Sequence, residues 1–190
     1  MINLKLRRRA EQKLANGLLR RKTKENNNSI AIETLGHAAL FGNVNAVKAA
    51  ISFGIDLNSF TKNGETALHK AIRNEQLDVV RLLLESGADP NLKNKDDGEP
   101  STMIALREGN KFIVDELFTS EIDLNARNDS GWTLLMTAIE SENIKVVKNL
   151  LNNKIEIDAQ DNSGNTALSI AKEMQNNKIT RLLLEAGAKD

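Results

Sequence analysis

The sequence predicts an all-α solenoid of about five helix-turn-helix repeats behind a basic amphipathic helix. Three observations carry this. An octapeptide returns every 33 or 34 residues, a second apolar stretch returns behind it, and the charge changes sign near residue 28. At 190 residues the chain has room for about one domain and a tail. Hydrophobic residues make up 40% and charged ones 27%, which suits a folded globular chain and excludes collagen-like or wholly disordered ones. The absence of cysteine excludes disulfide frameworks, thiol catalysis and cysteine-based metal sites. No apolar run reaches the roughly 18 to 20 residues needed to span a bilayer. Aromatics at 3%, with one tryptophan and no tyrosine, are thin material for stacking bases or sugars.

The first element is residues 1–28. It holds nine basic residues (Lys5, Arg7, Arg8, Arg9, Lys13, Arg20, Arg21, Lys22, Lys24) against Glu11 and Glu25, a net +7. The remainder holds 17 basic and 24 acidic residues, a net −7, so the whole chain is neutral. Ile2, Leu6, Ala10, Leu14 and Leu18 recur every fourth residue, the spacing of one helical face, and Gly17 weakens the last turns. The basic start is followed by no apolar core or cleavage site, so it does not read as a secretory signal. Asn26-Asn27-Asn28-Ser29 reads as a short polar linker to the body.

The body, 29–190, repeats. Gly64-Glu65-Thr66-Ala67-Leu68-His69-Lys70-Ala71 returns as Gly131-Trp132-Thr133-Leu134-Leu135-Met136-Thr137-Ala138 and as Gly164-Asn165-Thr166-Ala167-Leu168-Ser169-Ile170-Ala171. Weaker copies begin at Gly98 and Ala31, so the starts are 31, 64, 98, 131 and 164. The second half, Val79-Val80-Arg81-Leu82-Leu83-Leu84-Glu85-Ser86-Gly87-Ala88, is echoed from Val146 and from Ile179. Here the sequence resembles the ankyrin-repeat family, which has a 33-residue period and a Thr-Pro-Leu-His-x-Ala signature. The repeats then fall at about 29–61, 62–94, 95–128, 129–161 and 162–190.

Each unit reads as two short helices and a turn. Thr66 is placed to cap the first helix, whose apolar face is Leu68, Ala71 and Ile72. Leu77, Val80, Leu83 and Leu84 form the stripe of the second helix. Gly54, Gly87 and Gly187 follow second helices, where a left-handed residue is expected. Ala38, Ala71, Ala105, Ala138 and Ala171 let neighbouring units approach closely, which they must, because no unit can bury its apolar face alone. Polar connections (Asn58 to Gly64, Asn91 to Gly98, Asn125 to Gly131, Asp158 to Gly164) become β-hairpin fingers if the resemblance holds. The third unit departs most. Pro100 replaces the capping threonine, Asp96-Asp97 lengthen the finger, and Glu121 stands where Gly54 and Gly87 do, as does Lys154 in the fourth unit. A left-handed backbone at Glu121 or Lys154 would cost on the order of 1 kcal/mol.

The resemblance implies a non-catalytic adaptor that binds another protein through a concave face of fingers and first helices. Its binding positions map to Phe60, Glu65, Arg73 and Asn74, to Lys93, Glu99, Arg107 and Glu108, to Arg127, Trp132 and Glu140, and to Gln160 and Asn165. Less central positions are Lys62, Asn63, Asp97, Asp129, Ser141 and Asn162, with Leu40 and Phe41 in the first unit. Trp132 is the sharpest candidate, since tryptophan and arginine are enriched at binding hot spots. Arg73, Arg107 and Arg127 are expected near it, which suits an acidic or polar partner segment. The structural alternative is that Trp132 covers an adjacent finger.

The resemblance gives His69 a structural hydrogen bond in the turn. No phosphate loop, nucleophile elbow or metal motif appears, so no cofactor or metal is expected. The arm reads three ways: a cap on the first repeat, a tether to anionic membrane or nucleic acid, or a targeting segment. A cytosolic monomer is expected. The asparagine, lysine and isoleucine content points to an AT-rich genome, hence to a bacterial protein acting in a host cytosol as an alternative.

Overall fold

The computed structural model describes residues 27–189, and α1 runs over 27–40 of them. Asn27, Asn28 and Ser29 therefore belong to a helix rather than a linker. Asn27 and Asn28 are exposed, so their polar side chains stay in water while the backbone closes its helical bonds. The amphipathic helix expected further upstream, and Asn26, lie outside the described residues.

The other helices come in pairs. α2 (Val44–Ser52) completes the first unit. α3 (Ala67–Arg73) and α4 (Leu77–Glu85) make the second, and α5 (Ser101–Glu108) and α6 (Lys111–Leu117) the third. α7 (Leu134–Glu140) and α8 (Ile144–Leu151) make the fourth, α9 (Ala167–Glu173) and α10 (Asn177–Glu185) the fifth. α3 packs on α5, α5 on α7 and α7 on α9, forming an inner row. α2 packs on α4 and α4 on α6, and α8 packs on α10, as an outer row. One apolar core runs through all the units. Ala71, Ala138 and Ala171 are fully buried within it, as are Val80 and Leu83 of the expected outer stripe.

Local sequence explains where the helices start. Thr66, Thr133 and Thr166 cap α3, α7 and α9, each side chain accepting from the amide three residues on. Pro100 begins α5 with no such bond, as its lack of a hydroxyl dictates. The outer helices use a second series. Asn43, Asn110, Asn143 and Asn176 each accept from an amide of the first turn of α2, α6, α8 and α10.

Helix ends show where the absence of glycine tells. Gly54 and Gly87 are left-handed at φ 71° and 92°, but neither Glu121 nor Lys154 is among the residues of positive φ. Instead α6 and α8 have 7 and 8 residues where α2, α4 and α10 have 9. Thr119 and Asn153 then hydrogen-bond the last-turn carbonyls of Glu116 and Asn149 with their side chains. Left-handed non-glycine residues do occur, between inner and outer helices: Glu75, Glu142 and Gln175 at φ 53°, 50° and 56°, with Gly42 and Gly109 in the equivalent places. Glu142→Gly should therefore raise stability by about 0.5–1 kcal/mol, read as a higher urea midpoint with an unchanged slope. A lower midpoint would mean that the turn carries no strain.

The fingers are not extended hairpins. Among the described residues they hold isolated bridges, Lys93 to Pro100, Arg127 to Thr133 and Gln160 to Thr166, and no strand. Each is closed by a backbone bond across its tip, such as the Asn128 amide to the Trp132 carbonyl at 3.0 Å. Successive fingers then stack. The amides of Lys95, Asp129 and Asn162 donate to the carbonyls of Gly64, Asp97 and Ser130 at 3.0, 2.9 and 2.9 Å. Gly98 shows why glycine stands at the fingertip: φ is +70° and an added Cβ would meet the Asp129 amide nitrogen at 2.9 Å. A side-chain ladder runs beneath. Asn58, Asn91, Asn125 and Asp158 each accept, through Oδ1, from a backbone amide of the next unit: Asp89, Asp123, Glu156 and Lys189.

Candidate interaction site on the inner face

Two glutamates and two arginines recur eight residues apart in consecutive units, Glu65 with Arg73 and Glu99 with Arg107. The spacing runs from fingertip to the far end of the inner helix, and the fold brings the two ends together. Arg73 Nε donates to Glu65 Oε1 at 2.6 Å, and Arg107 Nη2 lies 2.5 Å from Glu99 Oε1. Arg73 also lies 3.6 Å from Glu108, and Lys70 lies 3.7 Å from Glu65. In the fourth unit the same two positions hold Trp132 and Glu140.

The change from pair to non-pair creates a cleft of about 270 Å³, lined by Asp97, Glu99, Arg107, Asn128, Ser130, Trp132 and Glu140. The third finger supplies Asp97 and Glu99. One residue longer than its neighbours, it closes from Asn94 to Glu99, where the others close over 61–65, 128–132 and 161–165. Asn94 Oδ1 accepts from the amides of Asp97 and Glu99, which holds the longer tip in place. The fourth finger supplies Asn128, Ser130 and Trp132, with Asn128 Oδ1 accepting from the Ser130 and Trp132 amides at 3.0 Å each. Trp132 is half-buried and packs against the core.

Electrostatically the cleft is unfinished. The Glu99 side chain is 1% exposed and has the Arg107 guanidinium and the Asn128 side-chain amide as its polar neighbours, but neither carboxylate oxygen meets them in strict hydrogen-bond alignment. The Arg107 contact is a close ion pair without hydrogen-bond geometry. Asp97 Oδ1 and Trp132 Nε1 are buried without a partner. Glu140 is exposed and makes no ion pair among the described residues. Burial pushes the Glu99 carboxyl above the ordinary carboxylate range and Asp97 adds to this, while Arg107, Arg73 and the Asn128 amide oppose it. An acid whose pKa is raised by folding weakens the fold as pH rises through that pKa, because the native state must then hold a buried charge. Glu99→Gln should therefore raise stability at pH 7 by about 1 kcal/mol, since the half-exposed Arg107 left behind is well hydrated. Urea unfolding at about pH 7 and about pH 4 checks this. The gain should fade at the lower pH, and an equal gain at both would count against the charge as its source.

The remaining sequence-predicted residues divide. Arg73, Glu65 and Glu108 form the adjoining ion-pair cluster. Arg127 does not flank Trp132 in the cleft; its Nη2 donates to the Gln160 carbonyl at 3.0 Å and braces the next finger. Asn165 Nδ2 donates to Asp161 within its own finger. Asn74 caps α3 by donating to the Lys70 carbonyl, and Lys93 is exposed beside its bridge to Pro100. Phe60 lies under the Lys95 ammonium, 4.8 Å from its ring centre, while Phe41 is 75% exposed. Sequence reasoning did not place Asn128 or Ser130 in a binding site; a polar residue four before the fingertip position, as at Thr61 and Asp161, was the signal for Asn128.

His69 is not a ligand-binding group. Its ring is buried, with Nδ1 accepting from the Thr66 amide and Nε2 bonded to the Leu92 carbonyl at 2.9 Å. Among the described residues no cluster of acidic and histidine side chains is arranged to hold a metal, and no helix is long and apolar enough to cross a membrane.

Comparison with known proteins agrees with this architecture. The family described as ankyrin repeats (3 copies) matches residues 8–94 and 102–190. The "Ankyrin repeat and KH domain-containing protein mask-1" of Caenorhabditis elegans is 36% identical over 94 residues, covering 50% of this chain and 4% of that protein. "Ankyrin repeat protein 14" of vaccinia virus is 45% identical over 53 residues, 28% of this chain and 22% of its own. "Protein phosphatase 1 regulatory subunit 27" of Mus musculus is 34% identical over 73 residues, 38% of this chain and 47% of its own. The chain thus spans under half the length of each of these relatives.

Proposed function

Since the chain belongs to the ankyrin-repeat family, we propose that it is a non-catalytic adaptor which binds another protein through its inner face, centred on the Trp132 cleft. The observation that carries this is the half-buried Trp132, whose buried Nε1 has no partner, beside the partnerless Asp97 Oδ1 and the exposed Glu140. Buried polar groups without partners are rare in folded proteins, and they concentrate where a ligand completes them. The family's general role in protein–protein interaction supports the same reading. The protein is taken to act as a cytosolic monomer.

Trp132→Ala should weaken a captured partner about 30-fold, the equivalent of about 2 kcal/mol, while the circular-dichroism spectrum stays helical. Asn149→Ala, on the exposed side of α8, should leave capture unchanged. Quantitative affinity capture with both variants checks this, and the reverse pattern would move recognition to the outer helices. A second contact is supported by the +7 charge of residues 1–28, which suits anionic membrane or nucleic acid. Sedimentation with anionic liposomes and retention by DNA, each with rising salt, would register it.

A further inference from the structure

Two of the arginines that direct the sequence reading toward an acidic partner are already paired within the chain, Arg73 with Glu65 and Glu108 and Arg107 with Glu99, and the third, Arg127, is turned to the Gln160 carbonyl with its Nε left without a partner. What the cleft holds in excess is of the opposite sign. Its lining carries Asp97, Glu99 and Glu140 against the single cation Arg107. The pattern of the units explains the imbalance. Where the second and third units put arginine at the end of the inner helix, the fourth puts Glu140, and where they put glutamate at the fingertip, it puts Trp132.

We propose that the cleft formed by Asp97, Glu99, Trp132 and Glu140 receives an arginine side chain from an extended segment of the partner protein. The proposal rests on the inner-face reading above and gives that face its chemistry. A guanidinium offers planar, multiply donating recognition to Asp97, whose buried Oδ1 has no partner, and to Glu99 in exchange with Arg107, and it stacks on an indole. A lysine ammonium is a strongly hydrated point charge and fits such a site less well. The Trp132 indole N–H needs an acceptor, which an arginine side chain cannot provide but the backbone carbonyl of its own segment can. That requirement favours a peptide over a free cation. At about 270 Å³ the cleft lies below the usual volume for whole small-molecule ligands, and one long side chain with its flanking backbone suits it. Arg107 is half-exposed and competes for Glu99, so it opposes the incoming cation.

The test uses the full chain and a random-peptide library displayed on phage. Selected peptides are synthesised and titrated by isothermal calorimetry, which reads Trp132→Ala as well as wild type, since Trp132 is the sole tryptophan and its fluorescence is lost in that variant. Arginine should be enriched over lysine and over acidic residues, and replacing that arginine by alanine should abolish the response. Glu99→Gln, which keeps the fold, should weaken binding at least tenfold, and Glu140→Gln several-fold. Arg107→Ala should strengthen it several-fold, a change of sign that a merely structural role would not produce. Acidic peptides whose binding is lost in Trp132→Ala would overturn the arginine assignment and leave the inner-face reading standing. Selected peptides indifferent to both Trp132→Ala and Glu99→Gln, or a library that gives no binders, would overturn both.

Discussion

His69→Ala should destabilise the protein by about 3 kcal/mol. The ring is fully buried, so its removal leaves a cavity as well as two broken bonds. One bond closes the capping box of α3 through the Thr66 amide. The other reaches the Leu92 carbonyl, in the connection that leads to the next finger. The Thr66 amide donates to Nδ1, so Nε2 carries the proton and donates to Leu92, and the ring is neutral. Burial holds its pKa below the ordinary imidazole value, opposed chiefly by the Leu92 bond. A base whose folded pKa is depressed contributes stability above its unfolded pKa of about 6.5, and that contribution fades as pH falls below it. Thermal unfolding between about pH 5 and pH 8 should show wild type losing midpoint on acidification and His69→Ala losing less. His69→Gln can still close the capping box but lacks the reach to Leu92, so it should cost roughly half as much. A pH profile in His69→Ala identical to wild type would remove the neutral imidazole from the account.

Ile104→Ala should cost about 3–4 kcal/mol and also change how the protein unfolds. Ile104 is fully buried on α5, between α3 and α7. α5 begins at Pro100 with no capping side chain, so burial of Met103, Ile104 and Leu106 must hold it instead. In a linear array each unit is held by its neighbours only, and the third unit joins the first two to the last two. α6 is also the shortest outer helix and is not among the close-packed neighbours of α8; the exposed Lys145–Asp115 ion pair joins them. Weakening α5 should split a single urea transition into two. It should also speed amide exchange over 101–117 more than over α3 or α9. One transition, shifted as a whole with uniform exchange, would show that coupling between units exceeds the loss.

Much of this architecture was readable because helix packing repeats with the sequence. Thr66, Thr133 and Thr166 announced their caps, and the small residues at 71, 138 and 171 announced the close inner row. The left-handed turns at Glu75, Glu142 and Gln175 were less visible, because glycine marks only two of the five equivalent positions. The asparagine ladder was in plain view at 58, 91 and 125, but a polar residue in a polar connection gives no sign of reaching into the next unit. For the site, sequence alone put Glu99, Arg107, Trp132 and Glu140 on one face. It could not show that Arg73 and Arg107 would be neutralised within the chain, since a fingertip and a helix end eight residues apart meet only once the turn between them is known.

The ladder also bears on how such a chain can change length. Asn91 reaches Asp123 across 32 residues, where Asn58, Asn125 and Asp158 span 31. The additional residue is taken up between Asn94 and Glu99, in the fingertip ahead of α5. An insertion at a fingertip therefore leaves every helix in register, whereas one inside a helix would rotate its buried face by about 100°. Fingertips are thus where lineages can gain or lose single residues without refolding the rest.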